Sequence, residues 1–78
     1  VGRVKPVVTR SINDWSEQRC VDILRAEAGF FWLECRRDPE DAHGWRRLDA
    51  PHGPFAEEAE ALDAARAAVG WMSEEGAR

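Results

Sequence analysis

The residues predict an α+β domain: a three-stranded antiparallel sheet, connected as a meander, followed by one C-terminal helix packed on one face. Three stretches carry that expectation. Residues 19–25 are rich in β-branched side chains and too short for a helix. Residues 30–37 open on Phe30, Phe31 and Trp32, an aromatic run that favours a strand. From about Ala56 to Val69 alanine dominates, and Glu57, Glu58 and Glu60 fall in the first turn, where the helix dipole favours negative charge.

In chain order, residues 1–18 read as a partly ordered arm. Val4, Pro6 and Val8 alternate with Lys5, Val7 and Thr9, which allows an extended arm, and Pro6 confines any strand there to a sheet edge. Ser11 with Asp14, or Asn13 ahead of Trp15, can start one helical turn. The domain proper spans residues 19–72. Ala26, Glu27, Ala28 and Gly29 form the first loop, with Gly29 supplying the positive φ that a short hairpin needs.

That loop pairs Arg25 with Phe30, and so Leu24 with Phe31, Ile23 with Trp32, Val21 with Glu34 and Cys20 with Cys35. A bulge in the turn would shift this register by one residue. One face then carries Cys20, Asp22, Leu24, Phe31, Leu33 and Cys35. The other carries Val21, Ile23, Arg25, Phe30, Trp32 and Glu34. Both are apolar enough that the pattern leaves open which one the helix covers.

Asp38–Pro39 opens a connector that Gly44 closes, and residues 45–48 make the third strand. Residues 49–54 contain Pro51, Gly53 and Pro54 and read as a rigid loop without regular structure. Along the helix, Ala59, Leu62, Ala65 or Arg66, and Val69 recur as a narrow apolar stripe. Gly70 is placed to be a left-handed C-terminal cap, with Trp71 and Met72 folding back onto the core. Residues 73–78 read as a frayed tail.

A chain of 78 residues makes one domain near the lower size limit for folding unaided. Its core must rest on a few large side chains, for which Trp15, Trp32, Trp45, Trp71, Phe30, Phe31 and Phe55 are available. Net charge is −4 and unevenly spread. Residues 1–54 balance nine basic against nine acidic side chains, whereas residues 55–78 set six acidic ones against Arg66 and Arg78. No apolar run is long enough to span a membrane, and no basic-then-apolar leader is present, so a cytoplasmic protein with no membrane partner is expected.

Cys20, Cys35, His43 and His52 together offer the donors of a tetrahedral zinc site. Neither the cysteines nor the histidines form the close sequence pairs that pin a metal, so the expectation is no metal and no cofactor. Opposed cysteines are close enough for a disulfide, but a reducing compartment predicts two buried free thiols. Asp38, Glu40, Asp41 and His43 form an acidic loop in which His43 could act as a base. No nucleophile accompanies them, and no enzyme is expected.

Arg36–Arg37 and Arg46–Arg47, near Trp32 and Trp45, are the ingredients of phosphate contact and base stacking. Asp38, Glu40, Asp41 and Asp49 lie close enough in sequence to neutralise them. The binding candidates are therefore Trp32, Arg36, Arg37, Trp45, Arg46 and Arg47.

The run Cys20-Val21-Asp22, then residues 36–41, Gly44-Trp45, Phe55 and residues 58–69, resembles a family of short bacterial hypothetical proteins over residues 10–72. That resemblance implies the fold and brings no activity, ligand or site residue with it. The sheet-then-helix layout is also similar to the YegP-like small domains, although this chain lacks their tandem duplication and has a longer acidic connector.

One helix covers one sheet face only. The expected function is therefore that of a small non-enzymatic interaction module, binding a protein partner or a second copy through an uncovered aromatic face. The alternative is a nucleic-acid-binding domain that uses the Arg/Trp-bearing sheet surface.

Overall fold

A computed structural model describes residues 6–40 and 44–73. Among the described residues the chain forms strands β1 (Val7–Asn13), β2 (Arg19–Ala26), β3 (Gly29–Arg37), β4 (Trp45–Arg47) and β5 (His52–Phe55). Helix α1 (Glu58–Ala68) follows, and a 3₁₀ turn covers Gly70–Ser73. The first four strands lie in the order β1-β2-β3-β4, all antiparallel, and β5 also pairs with β3. The architecture is α+β with a C-terminal helix, as the residues predict, but with five strands rather than three.

The β2–β3 hairpin has the expected register, from Arg19 opposite Arg36 through Cys20 opposite Cys35 to Arg25 opposite Phe30. Pairing continues one step further, to Ala26 opposite Gly29, so Glu27 and Ala28 alone make the turn. Gly29 has φ 140 there.

The two added strands have distinct causes. In the arm, residues 7–13 pair along the open edge of β2, with a bulge between Val8 and Arg10 that leaves Thr9 without an opposite residue. Ile12 reaches the main core, and Thr9 Oγ1 donates to the Ile23 carbonyl at 3.3 Å. Neither of the helical turns expected near Ser11 or Asn13 forms. Asp14 instead organises the turn into β2. Its carboxylate accepts from the Gln18 N–H at 2.9 Å and the Arg19 N–H at 3.1 Å. Slight burial pushes this carboxyl up, and the bonds from Arg19, Ser16, Gln18 and Glu17 outweigh it, so it lies below the usual aspartate value.

The stretch expected to be a structureless loop at 49–54 is the second correction. His52–Phe55 pairs with the first half of β3, Phe30 opposite Phe55 and Trp32 opposite His52, with a cis Gly53–Pro54 peptide. Proline is tolerated because β5 is an edge strand whose ladder is irregular at that point. β4 occupies the same side of β3 over its second half, Cys35 opposite Arg47 and Arg37 opposite Trp45. β3 is thus paired on both sides.

The helix covers the face that carries Val21, Ile23 and Trp32 with Ala61, Leu62 and Ala65, and its cap Val69 and Met72 of the following 3₁₀ turn complete that core. Ala61 takes the place in the stripe expected for Ala59, which is exposed. Small side chains at 61 and 65 let the helix approach the ring of Trp32 closely. At the helix start, the Glu57 N–H donates to Glu60 Oε1 at 3.1 Å, as in a capping box. At its end, Val69 is the cap, in extended conformation, and its N–H donates to the Ala65 carbonyl at 2.8 Å. The left-handed cap expected at Gly70 is therefore not used; Gly70 opens the 3₁₀ turn that buries Met72. Trp71 Nε1–H donates to Glu34 Oε2 at 2.9 Å and ties that turn to β3. No helix among the described residues is long and apolar enough to cross a membrane.

Candidate functional site

The face away from the helix carries a second, smaller apolar cluster of Cys20, Leu24, Leu33 and Cys35, with Phe31 and Trp45 packed against it. Strand alternation brings Ser11 and Asn13 of β1, Cys20 and Asp22 of β2, Cys35 of β3 and Trp45 of β4 to this side. Together they line a half-open cleft of about 340 Å³.

Cys20 and Cys35 form the floor, buried and directly opposite. Both are free thiols. Their Sγ atoms and an Asp22 carboxylate oxygen all lie within 4.8 Å of one another. Asp22 Oδ1 accepts from Ser11 Oγ at 2.7 Å, which fixes the carboxylate at the cleft edge.

Burial pushes the Cys20 thiol up to about 12, with the negative charge of Asp22 and the neighbouring Cys35 adding to it. Burial and then Asp22 raise Cys35 as well. Both side chains therefore stay protonated through neutral pH. Iodoacetamide at pH 8 is expected to label the native protein at least about tenfold more slowly than the urea-unfolded chain; equal rates would contradict the burial.

A second consequence concerns stability. The unfolded thiols ionise near pH ~8.5 and the folded ones higher, so this contribution is complete below pH ~8.5 and declines as pH rises toward that of the folded Cys20, about 12. The chain has no tyrosine and Lys5 is its one lysine, so few other side chains titrate in that window. Urea midpoints measured from pH 8 to 11 should fall in the native sequence, and fall less in a Cys20→Ala/Cys35→Ala double variant.

The residues singled out for binding separate. Trp32 leaves the set: it is 7% exposed, lies under the helix and stacks on His52 with ring centroids 4.1 Å apart. Arg36 and Arg46 are paired on the helix side, and Arg46 Nε sits 2.8 Å from the buried Asp38 carboxylate. Arg37, Trp45 and Arg47 are on the cleft side, where the Arg37 guanidinium lies 4.8 Å from the centroid of the Trp45 ring.

The acidic loop is only partly described. Asp38 anchors it, pairing with Arg46 and accepting the Glu40 N–H at 3.0 Å. Asp41 and His43 lie outside the described residues.

Two features escaped the sequence reading. Asp22 is a half-buried acid in an apolar strand, and its alternation with Cys20 on one strand was the available signal. Trp15, expected among the side chains that build the core, instead sits in the β1–β2 turn at 72% exposure, the highest among the large apolar side chains of the described residues, because a turn residue has no layer packed over it. That turn adjoins the end of β3: the Arg37 N–H donates to the Gln18 carbonyl at 2.7 Å, and Arg37 Nε reaches the Glu17 carbonyl at 3.4 Å.

No protein-family model, curated protein or solved structure matches this chain, so the resemblance to short bacterial proteins rests on its residues alone.

Proposed function

We propose that this chain is a non-enzymatic interaction module, and that it binds a carboxylate-bearing segment of a protein partner at the end of the sheet formed by Trp15, Arg37, Trp45 and Arg47. The observation that carries the reading is the exposed Trp15 in the turn bonded to Arg37, which itself stacks over Trp45. Tryptophan and arginine are the side chains most often responsible for binding energy at protein interfaces. Arg36 and Arg47 make no ion pair among the described residues, which leaves cationic charge at this end of an otherwise acidic molecule.

A phosphate-tracking surface would need its arginines on one side. Here neighbouring arginines alternate between opposite faces and Arg46 is held by Asp38, which favours a protein over a nucleic acid.

The test uses the full chain and three probes: a glutamate-rich peptide with one aromatic residue, a single-stranded oligonucleotide, and the chain itself in sedimentation equilibrium. Peptide binding, or self-association, that weakens about tenfold or more in Trp15→Ala and in Arg37→Glu supports the reading. Retardation of the oligonucleotide at low salt without peptide binding would transfer the surface to nucleic acid. Binding to none of the three would sink the proposal.

A further inference from the structure

We infer that Cys20, Asp22 and Cys35 form a three-ligand site for a thiophilic divalent cation of the zinc class, with the fourth coordination position opening into the cleft. Its three ligands are not among the partner-binding residues, although Trp45 and Arg47 border both, and its probe is the metal alone, so failure of one reading does not decide the other.

Two thiols and a carboxylate are a donor set that suits zinc, and three protein ligands with one open position is the arrangement of zinc sites that take up water or a further ligand. The sheet supplies the spacing. Cys20 and Asp22 are two residues apart on β2 and so share a face, and Cys35 stands opposite Cys20 on β3. The donor atoms lie within 4.8 Å of one another. Around a tetrahedral zinc they would stand about 3.5–3.8 Å apart, a closure that small side-chain rotations supply.

Three further observations agree. Ser11 Oγ donates to Asp22 Oδ1 at 2.7 Å, which orients the carboxylate and leaves its other oxygen available; ligating carboxylates are commonly held in this way. Arg47 is paired opposite Cys35. Two thiolates and a carboxylate, set against a divalent ion and the Arg47 guanidinium, sum to zero charge, which removes the main cost of burying them. Finally, the cleft is lined by all three ligands together with Ser11, Asn13 and Trp45, and gives an ion a path from solvent. The set differs from the two-cysteine, two-histidine combination considered from sequence. His52 is on the opposite face, stacked on Trp32 with Nε2 at 3.3 Å from Asp49, and His43 lies outside the described residues.

Cobalt(II) serves as the reporter, added to the reduced, metal-stripped full chain. The expected result is the thiolate-to-metal charge-transfer band and the visible absorption of four-coordinate cobalt, saturating at one ion per chain and bleached by zinc(II). Cys35→Ser should abolish the charge-transfer band. Asp22→Asn keeps the shape and can still accept from Ser11, so it should retain the fold by circular dichroism and weaken binding by about tenfold or more.

Absence of a charge-transfer band in the native sequence overturns the proposal. So does equal affinity in Asp22→Asn, or metal uptake that persists in the Cys20→Ala/Cys35→Ala variant. A pair that remains a disulfide under full reducing conditions also overturns it.

Discussion

Trp32→Ala is expected to remove a large share of the chain's folding stability. Trp32 lies between Ile23 on the neighbouring strand and the His52 ring, beneath Ala61, Leu62 and Ala65. The helix brings only small side chains to much of this contact, so the indole supplies the volume that joins the two layers. Alanine at 61 and 65 cannot swing in to fill the space left behind. Replacing a buried tryptophan by alanine costs about 3–5 kcal/mol, the upper part of that range applying where the site cannot collapse. A domain of 78 residues has a total stability on the order of 4–12 kcal/mol. Urea denaturation followed by circular dichroism is the measurement. A midpoint close to that of the native sequence would mean the two layers are held together elsewhere. Trp32→Phe keeps most of the ring volume and should lose far less.

The second large effect is expected at Gly53. Its φ is 148, and a Cβ there would stand 2.6 Å from the Phe30 carbonyl oxygen and 2.8 Å from Phe31 Cδ2. Backbone and ring belong to β3, so neither can yield without disturbing the central strand. Gly53→Ala should therefore cost roughly 2–4 kcal/mol, the sum of an unfavourable backbone conformation and an overpacked contact. Gly44→Ala is the control. Gly44 also has positive φ, 78, but a Cβ there meets nothing within 4 Å. Its cost should be about 1–2 kcal/mol, the backbone contribution alone. Equal losses at the two positions would show that contact with β3 is unimportant.

Most of the fold was legible because its central elements are specified locally. The β2–β3 register followed from a short glycine-containing turn, and the helix from alanine with acidic residues at its start. The elements that escaped depend on distant partners. Residues 52–55 carry a glycine and a proline and have no strand signal of their own; they become β5 because β3 has an unfilled edge beside Phe30 and Trp32. Residues 7–13 show weak alternation and become β1 because β2 would otherwise be an edge. Gly70 looked like a cap from its position alone, whereas the local bond from Val69 to Ala65 ends the helix one residue earlier.

The candidate site shows the same division. Opposition of Cys20 and Cys35 was readable from the hairpin, and Asp22 lies beside them by simple alternation. The cleft itself needs β1 and β4 in place, since Ser11, Asn13 and Trp45 come from strands whose pairing is set by tertiary contacts. The arginine pairs misled in the opposite sense. Adjacent residues in a strand point to opposite faces, so two doublets that look like one basic patch in sequence are divided between the two sides of the sheet.

The bulge at Thr9 has a bearing on solubility. β1 pairs only with β2 among the described residues, and its first two residues, Val7 and Val8, are exposed. A long regular edge with apolar side chains is a template for stacking of sheets from different molecules. The extra residue breaks the even spacing of the outward N–H and C=O groups directly after Val8 and is followed by the charged Arg10. An incoming strand thus finds only a short matching ladder on this edge before the bulge interrupts it.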